Sequence, residues 1–195
     1  MEKPNQLNND ILNTQKKKYD AACKRLLSQK IILAQILKNC VKEFADCNIN
    51  DIAYMYIEGE PQIAVTGVNP NETNKPLIQG YNTEGNSINE GKVSYDILFY
   101  AIAPGTGEPV KIIINVEAQR NTTPGYPITK RALYYCSRLI SAQYGREFTN
   151  SQYDKIKKVY SIWICLDVPE VSQNTITSYT INENLVYGDN KEEPK

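Results

Sequence analysis

The stretch Lys92 to Arg120, KVSYDILFYAIAPGTGEPVKIIINVEAQR, constrains the fold first, because two β-branched runs flank a Pro/Gly break at Ala103-Pro104-Gly105-Thr106-Gly107. The pattern predicts a hairpin, with one strand over Val93 to Ile102 and the next over Lys111 to Gln119. Side chains alternate along a strand, so Ile112, Ile114, Val116 and Ala118 share one face, and Ile113, Asn115, Glu117 and Gln119 the other. If the strands are neighbours, Asp96 in the first can face Glu117 and Gln119. Two carboxylates beside an apolar patch suit a hard divalent cation such as Mg²⁺, which takes oxygen ligands and keeps several waters.

Composition narrows the chemistry available to that hairpin. The chain has 195 residues, enough for one substantial core, and a single domain follows as the expectation. Its 22 basic and 22 acidic residues cancel, so any nucleic-acid contact must come from a local patch. Histidine is absent, which removes His-based triads, His-metal sites and histidine general bases together. The five cysteines (Cys23, Cys40, Cys47, Cys136 and Cys165) are odd in number and set among apolar residues, which argues for buried thiols in a reducing compartment. No apolar run approaches ~18 residues and no charged-then-apolar leader is visible, so the expectation is a soluble, cytoplasmic protein without a membrane partner.

Before the hairpin, residues 1–15 are rich in Asn, Gln and Lys and read as a mobile leader. Helical spacing of apolar residues runs from Lys16 to Phe44, with Ser28-Gln29-Lys30 as a break at which Ser28 caps a second helix. Glu43, near the end of that helix, is either a solvated acid or a third acid leaning over the sheet. Ile52 to Ile57 is ambiguous between helix and strand. Gln62 to Val68 alternates like a short strand, and Asn69 to Asn89 reads as a long loop, a flap beside the site.

After the hairpin, Ile128 to Tyr144 is an amphipathic helix with Gly145 as its C-cap. Val159 to Leu166 is apolar almost throughout, the pattern of a strand buried on both faces, and Thr175 to Ile181 predicts one more strand. Residues 16–182 thus form one domain, followed by a polar tail over 183–195. The order is helix, strand, strand, strand, helix, strand, an α/β sandwich with a mixed sheet flanked by helices.

Asp96, then Glu117-Ala118-Gln119, then Arg131-Ala132-Leu133-Tyr134-Tyr135-Cys136-Ser137-Arg138, then Tyr144-Gly145 and Val159-Tyr160-Ser161-Ile162, fall in order along the chain. This succession resembles the PD-(D/E)XK nuclease family transposases, the group of the recombination-promoting nucleases, over about Tyr19 to Leu166. The resemblance implies a restriction-endonuclease-like core, α-β-β-β-α-β, and a Mg²⁺- or Mn²⁺-dependent DNA endonuclease linked to recombination or a mobile element. By it, Asp96 takes the place of the metal-binding Asp and Glu117 that of the acid in the third strand. Gln119 stands at the motif's lysine, and Glu43 at the acid of the first helix, with Glu58 and Glu60 as rivals. Tyr95 stands where the motif has proline.

The resemblance implies that E-x-Q forms are usual in this group, and an amide at the lysine position can orient water but brings no charge. Lys130 and Arg131 are the first candidates for a compensating cation, and Lys130, Arg131 and Arg138 for contacts to the phosphates of a double-stranded DNA partner. Tyr135 reads as core. A homodimer is left open, and by the resemblance the expectation is a short or truncated member of that group. The alternative is a nuclease-fold protein that has lost its chemistry and serves as a binding or regulatory module.

Overall fold

In a computed structural model of the chain, residues 4–63, 84–87, 91–105, 110–121, 124–182 and 184–188 are described. The elements in order are α1 (Pro4–Leu27), α2 (Lys30–Cys40), the short α3 (Ile49–Asp51), β1 (Gln62–Ile63), β2 (Glu84–Ser87), β3 (Gly91–Ser94), β4 (Ile97–Ala103), β5 (Val110–Asn121), α4 (Ile128–Ser141) and β6 (Val159–Asp167). The principal sheet has four strands in the order β1-β4-β5-β6. β1 and β5 run antiparallel to β4, and β6 runs parallel to β5 across the connection that contains α4. The protein is therefore an α/β structure on a mixed sheet, as the hairpin and the helix after it predict. Among the described residues no helix is long and apolar enough to cross a membrane.

The alternation of β5 decides which helix covers which face. Ile112, Ile114 and Val116 are fully buried and pack with Leu33, Ala34 and Leu37 of α2, together with Phe44, Ile52 and Ile97. Ile113, on the other face, packs with Leu98, Tyr95, and Tyr135 and Leu139 of α4. Residues Leu33, Ala34 and Leu37 fall on one stripe of α2, and Tyr135 and Leu139 are one turn apart on α4, so each helix buries a single face. Gln143, just past α4 and fully buried, accepts from the Lys157 N–H at 2.7 Å and donates to the Lys157 carbonyl at 3.0 Å. That amide ties the end of α4 to the approach of β6.

Several expectations are corrected. Residues 4–15, expected as a mobile leader, belong to α1: Gln6, Leu7, Leu12 and Gln15 are good helix formers, and Pro4 is tolerated in a first turn. Ser28 marks the break but does not cap α2, whose N-cap is Gln29; the Ser28 hydroxyl donates back to the Arg25 carbonyl at 2.9 Å. α2 stops at Cys40, and Lys42–Phe44 is a separate tight turn of helix. Ile52–Tyr56 resolves as a wide helical turn continuing α3.

The strand expected over Val93 to Ile102 is broken at Tyr95-Asp96. β3 leaves the principal sheet to pair with β2, while β4 pairs with β5. Glu84–Ser87, expected within the long loop, is therefore a strand, and residues 69–83 and 88–89 of that loop lie outside the described residues. Residues 64–68 of the short strand expected at Gln62 also lie outside them.

β6 closes the sheet as an edge strand: Tyr160, Ile162 and Ile164 pack on the α2 side and Val159 and Trp163 on the α4 side, but of its residues only Ile162 is buried, so its apolar run reflects two partly covered faces and not a central position. Thr175 to Ile181 forms no strand. Ile176, Tyr179 and Ile181 are exposed, because β-branched composition makes a strand only where a neighbouring backbone pairs with it. Residues 184–188 of the expected tail are also without regular structure, and 183 and 189–195 lie outside the described residues. The C-cap of α4 is Ala142; Gly145 adopts φ +79° in the next turn, where its N–H donates to the Phe148 carbonyl at 2.8 Å. The five cysteines are free and half-buried, not core.

Candidate functional site

The β4–β5 register sets Ile97 opposite Val116, so one step further Asp96 comes opposite Glu117. Beyond that point β4 has ended while β5 continues, paired only with β6, where Glu117 lies opposite Trp163 and Gln119 opposite Cys165. The Asp96 side chain takes over the missing strand: its Oδ2 accepts the Ala118 N–H at 3.0 Å. In return the Asp96 N–H donates to Glu117 Oε1 at 3.1 Å. The two acids therefore lock each other across the end of the hairpin, each taking a backbone donor from the other's strand. The bend at Tyr95-Asp96 is what frees that backbone N–H and aims the carboxylate along β5.

Burial sets the charge state of the pair. Glu117 is 3% exposed, and its carboxyl is pushed up to about 8, first by burial and then by the neighbouring Asp96. Hydrogen bonding to the Asp96 N–H and Asn115, and the charge of Arg131, offset this only in part. Without a cation at the site, Glu117 thus holds a proton near neutral pH. Asp96 is satisfied differently: Lys24 Nζ, from the last turns of α1, lies 2.9 Å from Asp96 Oδ1 and 2.9 Å from Asp20 Oδ2. Burial pulls the Lys24 ammonium toward a lower pKa, but Asp96 and Asp20 outweigh this and hold it above its ordinary value. Beside these groups an open cleft of about 490 Å³ runs between α1 and the ends of β5 and β6, lined by Tyr19, Asp20, Cys23, Ala118, Leu166 and Asp167.

No known family model, curated protein or solved structure matches the chain.

The other residues singled out in the sequence divide. Gln119 is two residues beyond Glu117 on the same face of β5, half-buried. Arg131, in the first turns of α4, donates from Nε and Nη2 to the Tyr135 hydroxyl at 3.2 and 2.8 Å. Its guanidinium carbon lies 5.0 Å from the Tyr135 ring centroid and 5.2 Å from that of Trp163. Stacking and hydrogen bonds thus fix a cation over the face that carries Glu117. Lys130 is exposed on the same turn. Arg138, expected at a phosphate, is instead 7% exposed and donates to the Tyr134 hydroxyl at 3.0 Å, which places it in the packing of α4. Tyr135 is core, as expected.

Glu43 is not brought to the pair. Its carboxylate accepts from Lys158 Nζ at 2.6 Å and the Tyr160 hydroxyl at 2.7 Å. Burial pushes this carboxyl up, but the bonds from Lys158 and Tyr160 outweigh it and hold Glu43 below its ordinary value. Tyr160 packs on the α2 side, three residues before Trp163, so Glu43 lies on the opposite face and about 10 Å along the sheet from Glu117. The rivals are no nearer: the Glu58 N–H donates to the Tyr100 carbonyl, four residues along β4 from Asp96, and Glu60 is exposed with Lys30 at 3.7 Å. Among the described residues no three His, Cys, Asp or Glu side chains converge as a metal group. What sequence reasoning missed is α1: Asp20 and Lys24, four apart on one helix face, were a legible pair.

Proposed function

We propose that the chain is a metal-dependent endonuclease that hydrolyses DNA phosphodiester bonds. The observation that carries this reading is the reciprocal lock of Asp96 and Glu117 at the point where β5 outruns β4. The sheet order β1-β4-β5-β6, with two antiparallel pairs and then a parallel one reached through α4, agrees with the α-β-β-β-α-β core that the resemblance implies. The donor set fits Mg²⁺ or Mn²⁺: both acids offer oxygen, and Asp96 already draws a cation, the Lys24 ammonium. Bound there, the ion would lower the pKa of a coordinated water and stabilise charge on the phosphoryl group.

The chain's own residues would do the rest. Asp96 and Glu117 would hold the ion on a rigid strand end. Gln119, on the Glu117 face, would orient a water through its amide without adding charge. Arg131, fixed by Tyr135 and Trp163, and the exposed Lys130 would hold DNA phosphates through charge-assisted contacts. Arg138 would take no part in the interface, since it is buried. A link to recombination or a mobile element remains the role that the resemblance suggests.

Plasmid nicking with Mg²⁺ or Mn²⁺ tests the reading. Wild-type protein should nick, and Asp96→Ala and Glu117→Ala should each abolish nicking. Cleavage that survives either substitution would sink the assigned site. One observation favours a second reading, a nuclease-fold binding module: Lys24 already neutralises Asp96. DNA retained in a mobility shift but uncut under any divalent metal would select that module.

A further inference from the structure

Gln119 leaves the site without a charged group at the position where the resembled motif has its lysine, yet a buried ammonium reaches the same acid from another element. Lys24 Nζ lies 2.9 Å from Asp96 Oδ1 across the interface between α1 and the hairpin, and 2.9 Å from Asp20 Oδ2 four residues back on its own helix. The Lys24 side chain is 8% exposed, against 43% for Asp20, so the acid at the cleft side tethers an ammonium that lies inside. We propose that Lys24 is the basic residue of this site, held by Asp20 and aimed at the phosphoryl group beside Asp96. The inference rests on the nuclease reading.

The chemistry favours lysine in this role. An ammonium has three donors and no acceptor; two are spent on Asp20 and Asp96, and the third is left for a phosphate oxygen or the attacking water. Desolvated between α1 and β5, the charge acts through a lower effective dielectric than it would in water, where a surface pair counts for little. It is also preorganised, so no reorganisation is needed as negative charge builds on the phosphoryl oxygens. Asp20 also lines the neighbouring cleft, on the Ala118 face of β5, so the tether of Lys24 is itself reached by solvent. When a divalent ion takes Asp96, Asp20 keeps the ammonium from leaving the site. Lys24 is therefore also a competitor for the metal's carboxylate, and its removal should not weaken metal binding.

That competition separates a role in the reaction from a merely structural one. The test compares wild-type protein, Lys24→Met, Lys24→Arg and the pair Asp20→Asn with Lys24→Met, which removes acid and base together if the single variant unfolds. Nicking is measured at saturating Mn²⁺, and Mn²⁺ affinity by calorimetry. Lys24→Met and the double variant should nick about 100-fold more slowly, while binding Mn²⁺ as tightly as wild type or more tightly, and Lys24→Arg should recover part of the rate. Nicking within about 3-fold of wild type in Lys24→Met overturns the inference and leaves the nuclease reading standing. Slower nicking together with weakened Mn²⁺ binding also overturns it, since that is what loss of a structural ion pair would give. A wild-type protein that nicks with no metal overturns the nuclease reading and this inference with it.

Discussion

Glu117 couples its own protonation to the stability of the whole fold. Its carboxyl is raised from an ordinary 4.5 to about 8 by burial and then by Asp96. A carboxyl raised in the fold binds its proton more tightly there than in the unfolded chain, so its contribution is complete below about 4.5 and is lost as pH rises through about 8. The slope between those limits is at most about 1.4 kcal/mol per pH unit. Glu117→Gln keeps an oxygen for the Asp96 N–H and has no proton to lose, so thermal melts from pH 5 to 9 should flatten and the variant should be the more stable protein at pH 9. A melt that falls as steeply in the variant would remove Glu117 as the cause. Tyr95, next to Asp96, is 2% exposed, and its hydroxyl has no partner among the described residues. Tyr95→Phe removes that unpaired group and should leave stability unchanged or raise it by about 1 kcal/mol in chemical denaturation. The sequence marked Asp96 and Glu117 as partners through strand alternation, but it carried no sign that one would be buried and protonated, since burial depends on what packs above the strand.

At the scale of elements, the join between α4 and β6 rests on Gln143. Its amide satisfies both backbone groups of Lys157 in a buried setting. Gln143→Leu should cost about 2–3 kcal/mol in denaturant melts, because two buried backbone groups lose their partner while the apolar volume is kept. The segment after β6 behaves in the opposite way: Ile176, Tyr179, Ile181 and Val186 are all exposed. Ending the chain at Gln173 should therefore change stability by no more than about 0.5 kcal/mol, and a larger loss in the melt would mean that the segment is packed in solution. The helices were legible from their apolar spacing, and the break at Ser28 from its own residues. Local pattern could not tell an edge strand from a central one in β6, nor an unpaired extended segment from a strand at Thr175, because both distinctions lie in a neighbour far along the chain.

At the scale of the molecule, three elements distant in sequence meet at one corner: α1 through Lys24, the bend before β4 through Asp96, and the overhang of β5 through Glu117. A divalent ion bound there should stabilise the fold by mass action, by roughly 2.7 kcal/mol at 100 times its Kd. Mn²⁺ should accordingly raise the melting temperature of wild-type protein and leave that of Asp96→Ala unmoved; an equal rise in both would place the ion elsewhere. The sequence by itself determined the α/β class and the hairpin, and allowed Asp96 to face Glu117, because alternation along a strand and the Pro/Gly break are local properties; the register that sets the two acids opposite each other came from the pairing of β4 with β5. Only the tertiary structure decided that Glu43 lies on the far face, that Arg138 is buried, and that the cation at Asp96 is Lys24. Those outcomes depend on which helix crosses which end of the sheet, and that is settled by packing among residues with no pattern in common along the chain.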